Sequence, residues 1–193
     1  EATEPGAWDG PPAVTHARLR LLERQGRHDE YLNLARAAGL AREQAVMLAR
    51  RDQVEEAVAI GLESLTVAPD ALAVAQALYE RSDAEAALRV AEHGLTLEEP
   101  RALLAAWLSD VAERLGRREL ALRAAEVAFR SAPSLDAYGR VRALAGAGWP
   151  ARQAELLKFL RRPPTAWFHP EARVDIFLEE GLIDDAIAVV KDA

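Results

Sequence analysis

The sequence predicts an all-α protein, a right-handed α-solenoid of about six helix-turn-helix hairpins. Three observations predict it. Alanine fills 41 of 193 positions, leucine is next, and arginine and glutamate supply most of the charge; all four are good helix formers. Valine and isoleucine stand singly at helical spacing and nowhere alternate over the length of a strand. The third observation is self-similarity. A turn followed by an acidic first helical turn recurs at Gly26–Tyr31, Asp52–Ala57, Ser82–Ala87, Gly116–Ala121 and Gly181–Ala186, with a weaker copy at Trp149–Ala154. The copies end at 31, 57, 87, 121, 154 and 186, a period near 32 residues, which is the mark of a repeat architecture.

Each hairpin follows from this punctuation. The first is expected over 13–25 and 28–38, hinged at Gly26. The second spans 41–51 and 53–66, hinged at Asp52, and the third 70–81 and 83–96, hinged at Ser82. The fourth spans 101–115 and 117–131, hinged at Gly116. The fifth covers 135–146 and 150–162, where Gly146 and Gly148 stop the first helix. The sixth covers 171–180 and 182–192, hinged at Gly181. Carboxylates early in the second helices suit the positive end of the helix dipole. Pro69, Pro100, Pro133 and the Pro163-Pro164 pair separate the hairpins, since proline ends one helix and is tolerated in the first turn of the next. Asp70 and Ser134 are candidate side-chain caps. Helices this short cannot bury an apolar face alone and must stack. Ala57, Ala87, Ala121, Ala154 and Ala186 are expected where the second helix of each hairpin presses on the first. Gly61, Ala91, Ala125 and Val190 lie one turn further along that face, and Tyr31 breaks the small-residue rule. Residues 1–12, rich in proline and glycine, read as a linker, and 13–193 as one helical repeat domain.

Composition removes several classes. The net charge of −7 argues against a general polyanion binder. With no cysteine there is no disulfide framework, thiol nucleophile or cysteine zinc site, and a cytoplasmic setting is the plain expectation. No run of about eighteen apolar residues spans a bilayer, so no membrane partner is expected. The chain opens on Glu1, which reads as a domain excised from a longer protein.

Two resemblances rest on named residues. Gly116, Ala121, Ala125, Ala128 and Pro133 are similar in type and spacing to the second half of a tetratricopeptide repeat, and Asp52, Ala57, Gly61, Ser64 and Pro69 nearly so. In the first halves Leu108 fits, while the helix-A tryptophan of that family is missing. The stretches 50–59, 87–95, 115–122 and 129–138 also resemble the helical C-terminal region of bacterial SWIM zinc-finger proteins. That likeness covers about Tyr31 to Val190. It implies a repeat region belonging to a protein whose Cys-x-Cys and Cys-x-His motif lies upstream; this chain carries none of those cysteines.

Constellations for chemistry are sparse. His16, His28, His93 and His169 form no metal-binding pair at helical spacing, so no metal and no cofactor are expected. Glu55-Glu56, Glu98-Glu99, Glu179-Glu180 and Asp184-Asp185 are neighbours that point about 100° apart on a helix, unlike two carboxyls converging on one cleft. No nucleophile elbow, phosphate loop or dinucleotide fingerprint occurs. No catalytic residue is assigned, and an enzyme is not expected.

Charge layout says more. Residues 1–51 carry +1, 52–115 carry −9, 116–170 carry +6 and 171–193 carry −5. The basic stretch is interleaved with Tyr138, Trp149, Phe159, Trp167 and Phe168, a mixture that can serve phosphates and bases or, more plainly, helix ends and core. The tetratricopeptide clamp for C-terminal carboxylates maps to His16, Arg20, Glu43, Pro69 and Ala73, of which Arg20 alone suits, so that ligand is not expected. Candidate partner-binding residues are Arg117, Arg118, Arg140, Arg142, Arg161, Arg162, Trp167, Phe168 and Tyr79. Trp107 is weighed as a contact but is better suited to packing. The expected function is a non-enzymatic protein-interaction scaffold, binding an unidentified protein partner as a monomer or weak homodimer. The alternative is a nucleic-acid-associated module using the arginine-rich 116–170 stretch, and a bare structural spacer is the third reading.

Overall fold

The computed structural model describes residues 12–161 and 170–192. The expectations for the linker over residues 1–11 and for Arg162, Trp167, Phe168 and His169 lie outside the described residues. Twelve α-helices and no β-strand occur among those described: α1 (Pro12–Arg24), α2 (His28–Ala37), α3 (Ala41–Arg50), α4 (Val54–Glu63), α5 (Ala68–Glu80), α6 (Ala84–Gly94), α7 (Ala102–Arg114), α8 (Arg118–Ser131), α9 (Leu135–Ala145), α10 (Trp149–Leu160), α11 (Pro170–Glu179) and α12 (Ile183–Asp192). Each of the twelve expected helices is present within three residues at either end. The helices form two compact units, divided between Glu99 and Pro100.

One turn geometry joins most of these helices. Gly26, Asp52, Ser82, Gly116 and Gly181 all adopt left-handed backbone, with φ of 69°, 66°, 67°, 72° and 71°. At each the next residue's N–H reaches back five residues to a helix carbonyl: Arg27 to Leu22 (3.0 Å), Gln53 to Leu48 (3.0 Å), Asp83 to Leu78 (3.2 Å), Arg117 to Ala112 (2.8 Å) and Leu182 to Phe177 (2.7 Å). This is the Schellman termination, which satisfies the orphan carbonyls of the first helix. The following residue then opens the second helix. Gly39 repeats the geometry between α2 and α3 (φ 66°). Glycine is the residue that reaches this region without steric cost, so the two copies written with Asp52 and Ser82 carry strain. Asp83 offsets some of it by accepting the Ala86 N–H at 2.9 Å, a side-chain cap on α6.

Two connections depart from the expected pattern. Helix α4 ends at Glu63 rather than near 66, because the chain beyond peels off to pair with the connection after α6. Ala68 N–H donates to the Glu98 carbonyl and Glu98 N–H to the Thr66 carbonyl, both at 3.0 Å. Between α9 and α10 the left-handed turn is replaced by Gly146 (φ 54°) and a 3-10 turn over Gly146–Gly148, with Pro150 in the first turn of α10. Ser134 caps α9 as expected, accepting from Ala137 N–H at 3.1 Å. Asp70 does not cap α5; it sits in the first turn and pairs with Arg42 at 3.5 Å.

In the first unit α3 packs against α2, α4 and α5, α5 also touches α4, and α4 packs on α6. Small residues make these approaches possible. Ala57, Ala87 and Ala91 are fully buried, and a Cβ added at Gly61 would lie 3.1 and 3.2 Å from the Val90 methyls. In the second unit α7 pairs with α8, α9 contacts α8, α10 and α11, and α11 pairs with α12. Ala121, Ala125 and Ala186 are buried as expected. Ala154 and Val190 are not: both are exposed. The altered α9–α10 link turns Leu156, Leu157 and Leu160 inward in α10 instead, and in α12 the buried partner of Ala186 is Val189.

Candidate functional site

Most arginines of the 116–161 stretch are engaged within the second unit. Arg118 Nε donates to the Leu144 carbonyl at 3.1 Å, the C-terminal end of α9, where a cation meets the negative end of the helix dipole. Arg140, on α9, reaches α7 three ways: to Ser109 Oγ at 3.3 Å, to Glu113 Oε2 at 2.6 Å and to Asp110 Oδ1 at 3.0 Å. Arg152 approaches Glu126 at 2.9 Å, and Arg130 lies 3.7 Å from the same carboxylate. Arg161 forms a two-pronged pair with Asp185, at 3.0 and 2.7 Å, and covers the Phe177 ring at 6.0 Å. The hydrogen bonds of that pair raise the Arg161 pKa and hold the Asp185 carboxyl below its ordinary value. Arg142 lies over Trp149, 5.9 Å from the ring centroid. Arg117 is exposed at the α7–α8 turn. Arg118, Arg140, Arg152 and Arg161 each join one helix to another.

The aromatics of the same stretch are structural. Phe129 and Tyr138 are fully buried with centroids 5.8 Å apart. Phe159 meets Phe129 edge-on at 6.2 Å, and Trp149 meets Tyr138 at 5.1 Å. The Tyr138 hydroxyl donates to Glu180 Oε1 at 2.9 Å, and the Gln153 amide donates to the other oxygen of that carboxylate. Burial and the Glu180 carboxylate push the Tyr138 hydroxyl well above the ordinary phenol value. Stacking platforms for bases need exposed ring faces, and Tyr138 and Phe129 offer none. Trp107 is half-buried on α7. Tyr79 is half-buried on α5, in the first unit.

A further surface feature lies outside the residues singled out in the sequence. Between α11 and α12 runs an open apolar groove, made of two adjoining depressions of about 320 and 340 Å³ that share Val174 and Val190. Leu178, Ile183 and Ile187 complete its floor; Glu171 and Asp175 line one depression and Lys191 the other. Leu178, Ile183, Ile187 and Val190 are all exposed. The apolar signal was present in the sequence. Helix α12 buries Ala186 and Val189 and carries Ile183, Ile187 and Val190 beside them, an apolar arc wider than the part it buries, opposite Asp184 and Asp185.

Among the described residues no group of three His, Asp or Glu side chains is placed to hold a metal ion, and no helix is long and apolar enough to cross a membrane. No protein-family model matches the chain, and no curated protein matches it.

Proposed function

We propose that the chain is a non-enzymatic protein-interaction module, a tetratricopeptide-like solenoid whose principal docking surface is the α11–α12 groove. One observation carries this reading: a contiguous apolar face of five side chains, from two helices, left open, with Glu171 and Asp175 at one depression and Lys191 at the other. Exposed apolar patches of this kind mark interaction sites in soluble proteins, and a groove between two helices suits the apolar stripe of a third. The packed hairpins supply a rigid frame, so little ordering accompanies binding. Kinship with the repeat region of bacterial SWIM zinc-finger proteins, and work in the cytoplasm, stay with this proposal on the sequence pattern and the lack of cysteine. The rival nucleic-acid reading loses support from the engagement of Arg118, Arg140, Arg152 and Arg161 in intrachain contacts.

Two measurements test the reading. Selection from a displayed library of helical peptides should return sequences with apolar residues at i, i+3 or i+4 and i+7 and basic flanks, and Val190→Asp should abolish their binding. Titration with single- and double-stranded DNA and RNA, at about 50 and 200 mM salt, should show no steep salt-dependent binding. Micromolar nucleic-acid binding lost on changing Arg117 and Arg142 to Ser, with no peptide selected, overturns the proposal.

A further inference from the structure

The occupant of the groove can be argued further, resting on the docking reading above. Within the first unit the groove between α3 and α4 is already filled: α5, the first helix of the next hairpin, packs on both. The α11–α12 groove is the same kind of place, formed by the two helices of one hairpin, and its matching occupant is the first helix of another hairpin.

Helix α1 has such a face to offer. Helix α1 buries Leu19 and Leu22 but leaves Val14 and Leu21 about half exposed, at 51% and 54%. Val14, Ala17 and Leu21 follow i, i+3 and i+7 and so make one stripe; Arg18 and Arg24 flank it, and both are exposed. Seven residues of helix separate Val14 from Leu21, and the same seven separate Ile183 from Val190 on the groove floor, about 10 Å in each case. The arginines that border the α1 stripe complement Glu171 and Asp175 at one of the two depressions, while Lys191 lines the other. We infer that the α11–α12 groove receives α1 of a second copy of this chain, giving head-to-tail self-association. Such a contact joins two different patches and builds rings or growing chains rather than back-to-back dimers.

The absence of cysteine makes the test direct. Leu21→Cys and Val190→Cys, each at an exposed site, are prepared as separate variants of the full chain. They are oxidised alone and as a mixture. The mixture should form the mixed disulfide about tenfold faster than either variant forms its own, and sedimentation should show mass rising from about 1 to about 200 μM, a range that captures weak contacts. That rise should shrink at about 500 mM salt, where exposed charges are screened, and vanish in Leu21→Asp and in Val190→Asp alike. A monomer mass throughout overturns the inference, as does faster self-crosslinking of Val190→Cys, which signals a groove-to-groove dimer. If the chain stays monomeric while the groove still selects basic amphipathic peptides, the self-association inference alone falls. If neither occurs, the docking reading falls with it.

Discussion

The two units solve one problem, holding short helices together, by different means. In the first, the backbones approach closely. Every hairpin turns through the same left-handed residue, alanines line the contacts, and Gly61 lets α4 meet Val90 with no side chain between. Tyr31 is the one aromatic in that core. In the second unit the regular turn fails once, between α9 and α10, and the space there is filled by Phe129, Tyr138, Trp149 and Phe159. Guanidinium groups close the remaining gaps, including the buried Arg173, whose Nε donates to the Leu160 carbonyl at 2.8 Å. The link sets the register. Where it repeats, small residues land on small residues; where it changes, bulk and hydrogen bonds take over.

The largest effect separating the two modes is expected at Phe129. It touches two rings and is fully buried, so Phe129→Ala should cost about 3–5 kcal/mol, measured as a fall in urea midpoint. A loss of about 0.5 kcal/mol or less, the range of surface substitutions, means that the aromatic cluster is not what holds α8, α9 and α10 together.

The counterpart in the first unit is Gly61. Gly61→Leu forces a branched side chain against Val90, where a single Cβ already lies at 3.1 Å, and should destabilise by about 1–3 kcal/mol. Gly61→Ala should cost far less, because alanine gains about 1 kcal/mol of helix propensity against a contact that Val90 must yield by a few tenths of an ångström. Equal stability of Gly61→Leu and the parent protein would show that α4 and α6 do not pack by backbone approach.

Alkaline titration compares the units through their buried phenols. Burial raises the Tyr31 hydroxyl from its ordinary value near 10 to about 12, and Tyr138 is raised as well. A raised folded-state pKa means the folded protein holds the proton more tightly than the unfolded chain. The associated stability is therefore present below pH 10 and lost as the pH climbs from about 10 toward 12. Denaturation midpoints should fall over that window, and Tyr31→Phe and Tyr138→Phe should each flatten the slope. An unchanged slope in Tyr138→Phe would remove the Glu180 contact from the account of the second unit.

Much of this organisation was legible in the sequence, and the parts that were not share a physical cause. Periodicity and punctuation located all twelve helices, since Gly26, Gly116 and Gly181 have a strong local preference for the geometry they adopt. Asp52 and Ser82 were placed by their position in the repeat, against their own preference. Ala154 and Val190 leave the face that the repeat pattern predicts for them. The α9–α10 link departs from the repeat just before Ala154, and in α12 the buried partner of Ala186 is Val189. The arginines were visible as a charge run, but pairing is decided by which carboxylate a fold brings near. Asp110, Glu113 and Asp185 are far from their partners in sequence. The groove has no sequence signature of its own, because periodicity reports that a face is apolar, not whether another helix covers it.

The smallest effect sharpens the comparison at the turns themselves. Ser82 is exposed and holds φ 67°, where a Cβ costs about 1–2 kcal/mol. Replacing it by glycine removes that strain while loosening the unfolded chain by about 0.4–1 kcal/mol, so Ser82→Gly should stabilise by about 1 kcal/mol or slightly less. Gly116→Ala is the mirror experiment. It has open space around the added carbon but φ of 72°, so it should destabilise by a similar amount through backbone strain alone. Opposite signs from the pair, read in urea melts, tie the repeated turn to one conformation in both units. If Ser82→Gly weakens the protein instead, the serine hydroxyl contributes something that left-handed geometry does not explain, and the third hairpin's link differs in kind from that of the fourth.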